Sequence, residues 1–169
     1  GGLVDVQRLF PDAVTYLPAL ERPLFESLPH QGSRLFGLPQ FDRPCGRIDH
    51  YVADGDTITI GVWTLRVLST PGHTPGQACY YDDRHVFVGD TLFAGSIGRT
   101  DFPLSDPELM RQSLHRLLAL PGHLLVCSGH GPTTTLDEEL RSNPYLGEVR
   151  RARGMTAPVA GGTSGPRWS

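Results

Sequence analysis

Apolar residues recur along this chain first with helical spacing and then with the spacing of strands. Leu3, Val6 and Phe10 share one face of a helix predicted over residues 3–10, which Pro11 ends. Ala13–Leu17 reads as a short strand, and residues 18–47 are rich in Pro and Gly, with a helix near Arg22–Leu28. From Ile48 the pattern changes. Ile48–Val52, Thr57–Ile60, Trp63–Leu68, Gln77–Tyr81 and His85–Val88 read as successive antiparallel strands, with turn chemistry at Asp54-Gly55-Asp56 and Asp82-Asp83-Arg84. A helix follows over about 106–119, opened by the capping-box spacing of Ser105-Asp106-Pro107-Glu108 and striped by Leu109, Met110, Leu114, Leu117 and Leu118. Leu124–Cys127 is a short apolar strand. A last helix starts near Thr135 and ends before Pro144. After Gly147 the composition shifts to Arg, then Gly, Ala, Pro, Ser and Thr, and a disordered tail is predicted over 148–169.

Composition narrows the classes. A chain of 169 residues is long enough for one domain with a core, predicted over 1–147. No apolar run approaches the ~20 residues that span a bilayer, so no membrane partner is expected. No signal-peptide pattern opens the sequence, although the chain does not begin with Met. The net charge of −3 is too small to suggest nucleic acid, and every basic residue is Arg. Cys45, Cys79 and Cys127 show an odd count and no CxxC spacing, so a reducing, cytoplasmic location is expected rather than a disulfide framework. Cys79 and Cys127 lie in strand-like runs and read as small buried apolar residues.

Candidate chemistry lies in a recurrence. Three times a strand-like run ends in a Gly-containing loop that presents a metal-ligating side chain. Thr64–Thr70 leads into Pro71-Gly72-His73-Thr74-Pro75-Gly76, His85–Val88 into Gly89-Asp90-Thr91, and Leu124–Cys127 into Ser128-Gly129-His130-Gly131-Pro132. Rigid strands fix such loops, and glycine lets backbone turn sharply and approach an ion closely. Imidazole and carboxylate suit zinc, iron or manganese, and a central Asp has two oxygens with which to bridge a metal pair. Singly each signal is modest, since a lone His is more often structural and Asp90 alone fits a cap or turn. His50, His85, His115 and His123 lack Gly framing and read as ordinary surface or core residues.

Thr70-Pro71-Gly72-His73-Thr74-Pro75-Gly76, Gly89-Asp90-Thr91-Leu92-Phe93 and Gly129-His130-Gly131-Pro132 resemble the later metal motifs of the metallo-β-lactamase superfamily. Gly98-Arg99-Thr100-Asp101-Phe102-Pro103 and Asn143-Pro144-Tyr145 are similar to its glyoxalase II-like (hydroxyacylglutathione hydrolase-like) branch. The resemblance covers about residues 1–147. It implies an α/β fold: the C-terminal part of an αβ/βα sandwich, with a mostly antiparallel sheet and flanking helices. It also implies two metal ions, expected to be zinc, with iron or manganese as alternatives. His73 would bind the first, Asp90 would bridge both and take part in catalysis, and His130 would bind the second. Water or hydroxide held by both metals would attack the carbonyl of a small-molecule thioester. Arg99 and Asp101 are placed beside the site as substrate-site or loop-shaping residues, with a structural pairing preferred. Asp at position 90, where several zinc β-lactamases place Cys nearby, favours the dinuclear thioesterase type.

The family's early His-x-His-x-Asp-His motif is absent from this sequence, and Gly1-Gly2 followed by a helix is similar to the segment just after it. The expectation is a fragment in which each metal keeps two ligands, where zinc sites usually have three or more from protein. Uncovered apolar surface is expected with it. The alternatives are a persulfide dioxygenase-like enzyme with one iron and a non-catalytic half-enzyme that needs a partner. The chain by itself is expected to show little or no thioester hydrolysis; sustained turnover by the purified 169-residue protein refutes this.

Overall fold

The computed structural model describes residues 2–30, 33, 37–38 and 44–155. They belong to two compact units, Gly1–Ala53 and Asp54–Ser169, where the sequence predicts one domain over 1–147. In the first unit, helix α1 (Leu3–Leu9) stops ahead of Pro11, and strand β1 (Tyr16–Pro18) pairs in parallel with β2 (His50–Val52). Helix α2 (Arg22–Ser27) lies between those strands in sequence. The Gln7 amide donates to Thr15 Oγ1 at 2.9 Å and to the Arg47 carbonyl at 2.7 Å, and its oxygen accepts from the Arg47 N–H at 2.9 Å. That single side chain ties α1 to both connecting segments. The apolar residues Val6, Leu9 and Phe10 of the α1 region are exposed.

The predicted antiparallel run from Ile48 is corrected at its first member, because β2 has β1 as its neighbour. The Asp54-Gly55-Asp56 turn faces elsewhere. Gly55 N–H donates to Val67 O at 2.9 Å and Val67 N–H to Asp56 O at 2.8 Å, so the turn extends a later hairpin.

The second unit is built on strands β3 (Thr57–Ile60), β4 (Trp63–Ser69), β5 (Ala78–Tyr81), β6 (His85–Gly89), β9 (Leu125–Ser128) and β10 (Thr134–Thr135). They form one sheet in the order β10-β9-β6-β5-β4-β3. A small hairpin, β7 (Leu92–Phe93) with β8 (Ser96–Ile97), stands apart from it. All neighbours in the sheet are antiparallel except β6 and β9, a second departure from the predicted pattern. Since β4 and β6 both oppose β5, and β9 runs with β6, all three end at the same edge of the sheet.

Alternation along the strands sorts the side chains onto two faces. Cys79, Val86, Val88 and Val126 form one core with Met110, Leu114 and Leu117 of helix α3 (Pro107–Leu117) and Leu136 and Leu140 of helix α4 (Leu136–Ser142). Registers Ile58↔Leu65 and Val67↔Tyr80↔Phe87 put those residues on the opposite face. The result is the expected α/β architecture of a mostly antiparallel sheet with flanking helices.

The cap of α3 is Asp106, whose carboxylate accepts from Glu108 N–H at 2.8 Å and Leu109 N–H at 3.0 Å. Ser105, the capping residue predicted by spacing, donates its hydroxyl to Phe102 O instead. Leu109 of the predicted apolar stripe is exposed, while Met110, Leu114, Leu117 and Leu118 are buried. Thr135 caps α4 as expected, accepting from Glu138 N–H at 3.2 Å.

The predicted tail from 148 is corrected over 148–155. Helix α5 (Gly147–Ala152) forms there, with Leu146 and Val149, three apart, both buried. Buried Arg150 donates to Leu140 O at 3.2 Å and Asn143 O at 2.8 Å, satisfying carbonyls left open where α4 ends. Residues 156–169 of that predicted tail lie outside the described residues. Among the described residues no helix is long and apolar enough to cross a membrane.

Leu117, fully buried in this core, is expected to cost about 2–5 kcal/mol when replaced by Ala. Replacing fully exposed Val62 by Ala should change stability by less than about 0.5 kcal/mol. Urea unfolding of both variants measures the difference.

Candidate metal centre

The loop after β4 carries His73, and α3 supports that loop from below. The Ser113 hydroxyl donates to Pro71 O at 2.7 Å, and the Asp106 N–H donates to Gly72 O at 2.7 Å. Gly72 has φ 143°, and a Cβ there would lie 2.6 Å from Met110 Cβ, so only glycine lets the helix come this close. His73 Nδ1 lies 2.8 Å from the Arg99 carbonyl. A carbonyl only accepts, so Nδ1 carries a proton, and the neutral form of the ring would have its lone pair on Nε2. That nitrogen faces Asp90 Oδ2 at 3.6 Å.

Asp90 follows β6 and is packed closely from two sides. A Cβ on Gly129 would lie 2.6 Å from Asp90 Oδ1, and one on Gly98 would collide with the Asp90 carbonyl oxygen. The loop after β9 is tied to Asp90's strand by Gly129 N–H donating to Gly89 O at 2.8 Å. It brings His130 Nε2 to 3.7 Å from Asp90 Oδ1. Exposure rises across the cluster, from 20% at the His73 side chain to 35% at Asp90 and 80% at His130.

The two gaps are informative. Both exceed the ~3.2 Å limit of an ordinary N–H···O bond. Two ligands about 2.0–2.2 Å from a shared tetrahedral ion stand about 3.3 Å apart. The pairs His73–Asp90 and Asp90–His130 are near that ligand-to-ligand spacing, with one carboxylate oxygen for each imidazole. The donor set and the glycine-lined cradle therefore fit divalent metal. Among the described residues no three His, Cys, Asp or Glu side chains form a complete metal-holding group. The arrangement is two imidazole–carboxylate pairs that share Asp90.

A family model, "Metallo-beta-lactamase superfamily", matches residues 1–130. The chain belongs to the metallo-β-lactamase superfamily. Within it, the chain falls in the glyoxalase II-like branch. It is 40% identical over 132 residues to "Hydroxyacylglutathione hydrolase GloC" of Haemophilus influenzae, covering 73% of this chain. The chain spans 58% of that relative's length. Among solved structures it is similar to "BLEG-1 B3 metallo-beta-lactamase", with a TM-score of 0.76 at 39% identity, covering 86% of this chain and 71% of that one. It is also similar to "TTHA1623 in a di-iron-bound form", with a TM-score of 0.72 at 38% identity and the same coverage of both chains.

In this superfamily member the remaining predicted residues, Arg99 and Asp101, lie beside His73. The guanidinium makes two bonds to the Asp101 carboxylate, at 2.8 and 2.7 Å, and stacks 4.3 Å from the centre of the Phe102 ring. It holds the Asp101 carboxyl below its ordinary pKa. Phe102 in turn meets the His73 ring edge-on at 5.8 Å. Arg99, Asp101 and Phe102 make a compact cluster beside His73.

Other contributors are not among the candidate site residues, although Thr70, Thr91 and Asn143 fall inside the motifs quoted from the sequence. Thr70, Thr91 and Cys79 are fully buried beneath the loops, with Thr70 Oγ1 3.1 Å from Thr91 Oγ1 and 3.2 Å from Cys79 Sγ. Thr70 precedes the His73 loop and Thr91 follows Asp90, so this contact couples the two. On the His130 side, the Asn143 amide donates to Phe93 O at 3.3 Å and Ser96 O at 3.0 Å. Glu139 accepts from Gly95 N–H and from Asn143, both at 2.8 Å. Together they hold the β7–β8 hairpin, whose Phe93 ring lies 6.1 Å from His130.

Burial raises the Cys79 thiol to a pKa of about 11, against the smaller opposing effect of the Thr70 and Thr91 hydroxyls. The native protein at pH 8 is therefore expected to leave Cys79 unalkylated by iodoacetamide, while the partly exposed Cys45 and Cys127 react. Mass spectrometry of the labelled chain checks this. Equal labelling of Cys79 would contradict the buried position.

Proposed function

We propose that this chain supplies part of the centre of a metal-dependent hydrolase that cleaves thioesters of the hydroxyacylglutathione type. The observation that supports it most directly is the Asp90 carboxylate, which offers one oxygen to His73 and the other to His130 at metal-ligand spacing. His73 and Asp90 would hold one ion, Asp90 and His130 a second. Zinc is the proposed metal, and iron or manganese suits the same ligands. Bound metal of this kind acidifies water and polarises a carbonyl.

The chain's own residues have distinct parts in this reading. Arg99 O fixes the His73 tautomer, which keeps Nε2 free to ligate. Its guanidinium is engaged by Asp101 and Phe102, which favours loop shaping over direct substrate contact. Gly98 and Gly129 admit Asp90 at close range. The exposed imidazole of His130 marks the side from which a small-molecule thioester would enter.

The protein is tested together with whatever upstream segment its gene encodes. It is expected to take up two divalent ions per chain and to hydrolyse a hydroxyacylglutathione thioester. Asp90→Ala should lower occupancy of both ions together. Unchanged occupancy would remove the bridging role, and a single iron per chain would favour the dioxygenase alternative.

A further inference from the structure

Gln77 sits between two of the ligand loops and touches both. Its backbone closes the His73 loop, because Thr70 N–H donates to Gln77 O at 2.8 Å. Its side chain reaches from the start of β5 to the end of β6. With the amide oriented so that its oxygen faces donors, that oxygen accepts from Thr91 N–H at 2.7 Å, Thr91 Oγ1 at 2.7 Å and Asp90 N–H at 3.2 Å.

Those two amides lie where the strand ladder has given out. The β6–β9 register shifts between Phe87 and Gly89, and Gly89 turns to φ 51°. Backbone N–H groups beyond a strand end need another acceptor to stay fixed. Thr91 N–H also donates to Val88 O at 3.0 Å, so the half-buried Gln77 side chain matters most for Asp90 N–H, on the residue that both imidazoles face.

We propose that Gln77 is a positioning residue: its amide oxygen holds the Asp90–Thr91 backbone and so sets where the Asp90 carboxylate stands between His73 and His130. The consequence for metal affinity rests on the metal-centre reading above. The backbone restraint does not.

The test uses the full chain, metal-free, as wild type, Gln77→Met and Gln77→Glu. Amide hydrogen exchange at Asp90 and Thr91 is read by NMR. In Gln77→Met the Asp90 amide is expected to exchange about tenfold faster or more. Thr91, which keeps Val88 O, is expected to change less, and the β4–β5 amides are expected to stay unchanged. Gln77→Glu keeps an acceptor oxygen and is expected to retain protection. Zinc affinity, by chelator competition on the same proteins, should fall about 10–100-fold for the Met variant only.

Unchanged exchange at Asp90 in Gln77→Met overturns the proposal. Equal loss of protection in both variants also overturns it, since it marks a packing role. If Gln77→Met does not fold, Gln77→Glu decides: retained protection supports the proposal and lost protection overturns it. A wild-type zinc affinity no better than that of Asp90→Ala sinks the metal-centre reading, while exchange still decides on Gln77.

Discussion

Strands β4, β6 and β9 point the same way within a sheet that is otherwise antiparallel, and the candidate site follows from that constraint. Each strand is followed by a loop that carries one of the candidate side chains, so His73, Asp90 and His130 emerge at one edge. Two strands of a common direction cannot be joined by a tight turn; they need a crossover, usually a helix. Between β6 and β9 that crossover contains the β7–β8 hairpin and α3. The same crossover thus brings the platform on which the His73 loop rests, through Ser113 and Asp106.

Close approach is the second requirement. Two imidazoles and a carboxylate separated by 3.6 and 3.7 Å leave no room for extra side chains beside Asp90. Glycine at 98 and 129 removes the atoms that would intrude, and glycine at 72 lets α3 lie against the loop. Polar groups then fix what glycine leaves loose. Thr70 and Thr91 couple the first two loops, Arg99 O orients His73, and Glu139 with Asn143 holds the hairpin beside His130. The buried Thr70, Thr91, Glu139 and Asn143 each have a partner, as burial away from water demands.

The three candidate positions, His73, Asp90 and His130, stand out in the sequence because each combines an apolar strand-like run, a glycine and a side chain with metal-binding chemistry. The strands β3 to β6 were legible for a similar reason, since alternation and turn residues are local properties. Strand direction is not local: a short apolar run such as Leu124–Cys127 does not say which neighbour it joins. The parallel β1–β2 and β6–β9 pairs were accordingly invisible. Helix α5 was masked by the surrounding Arg and Gly, because its two apolar residues are too few to outweigh them. Gln77 reads as an ordinary polar residue at a strand start, and its role depends on a partner fourteen positions away.

The shared-carboxylate arrangement is tested most directly by long-range ¹H–¹⁵N NMR of the histidine rings during zinc titration. His73 is expected to carry its proton on Nδ1 before metal is added, and the Nε2 signals of His73 and His130 should move together as zinc binds. A His73 ring protonated on Nε2, or zinc that shifts other histidines while these two stay still, would contradict it.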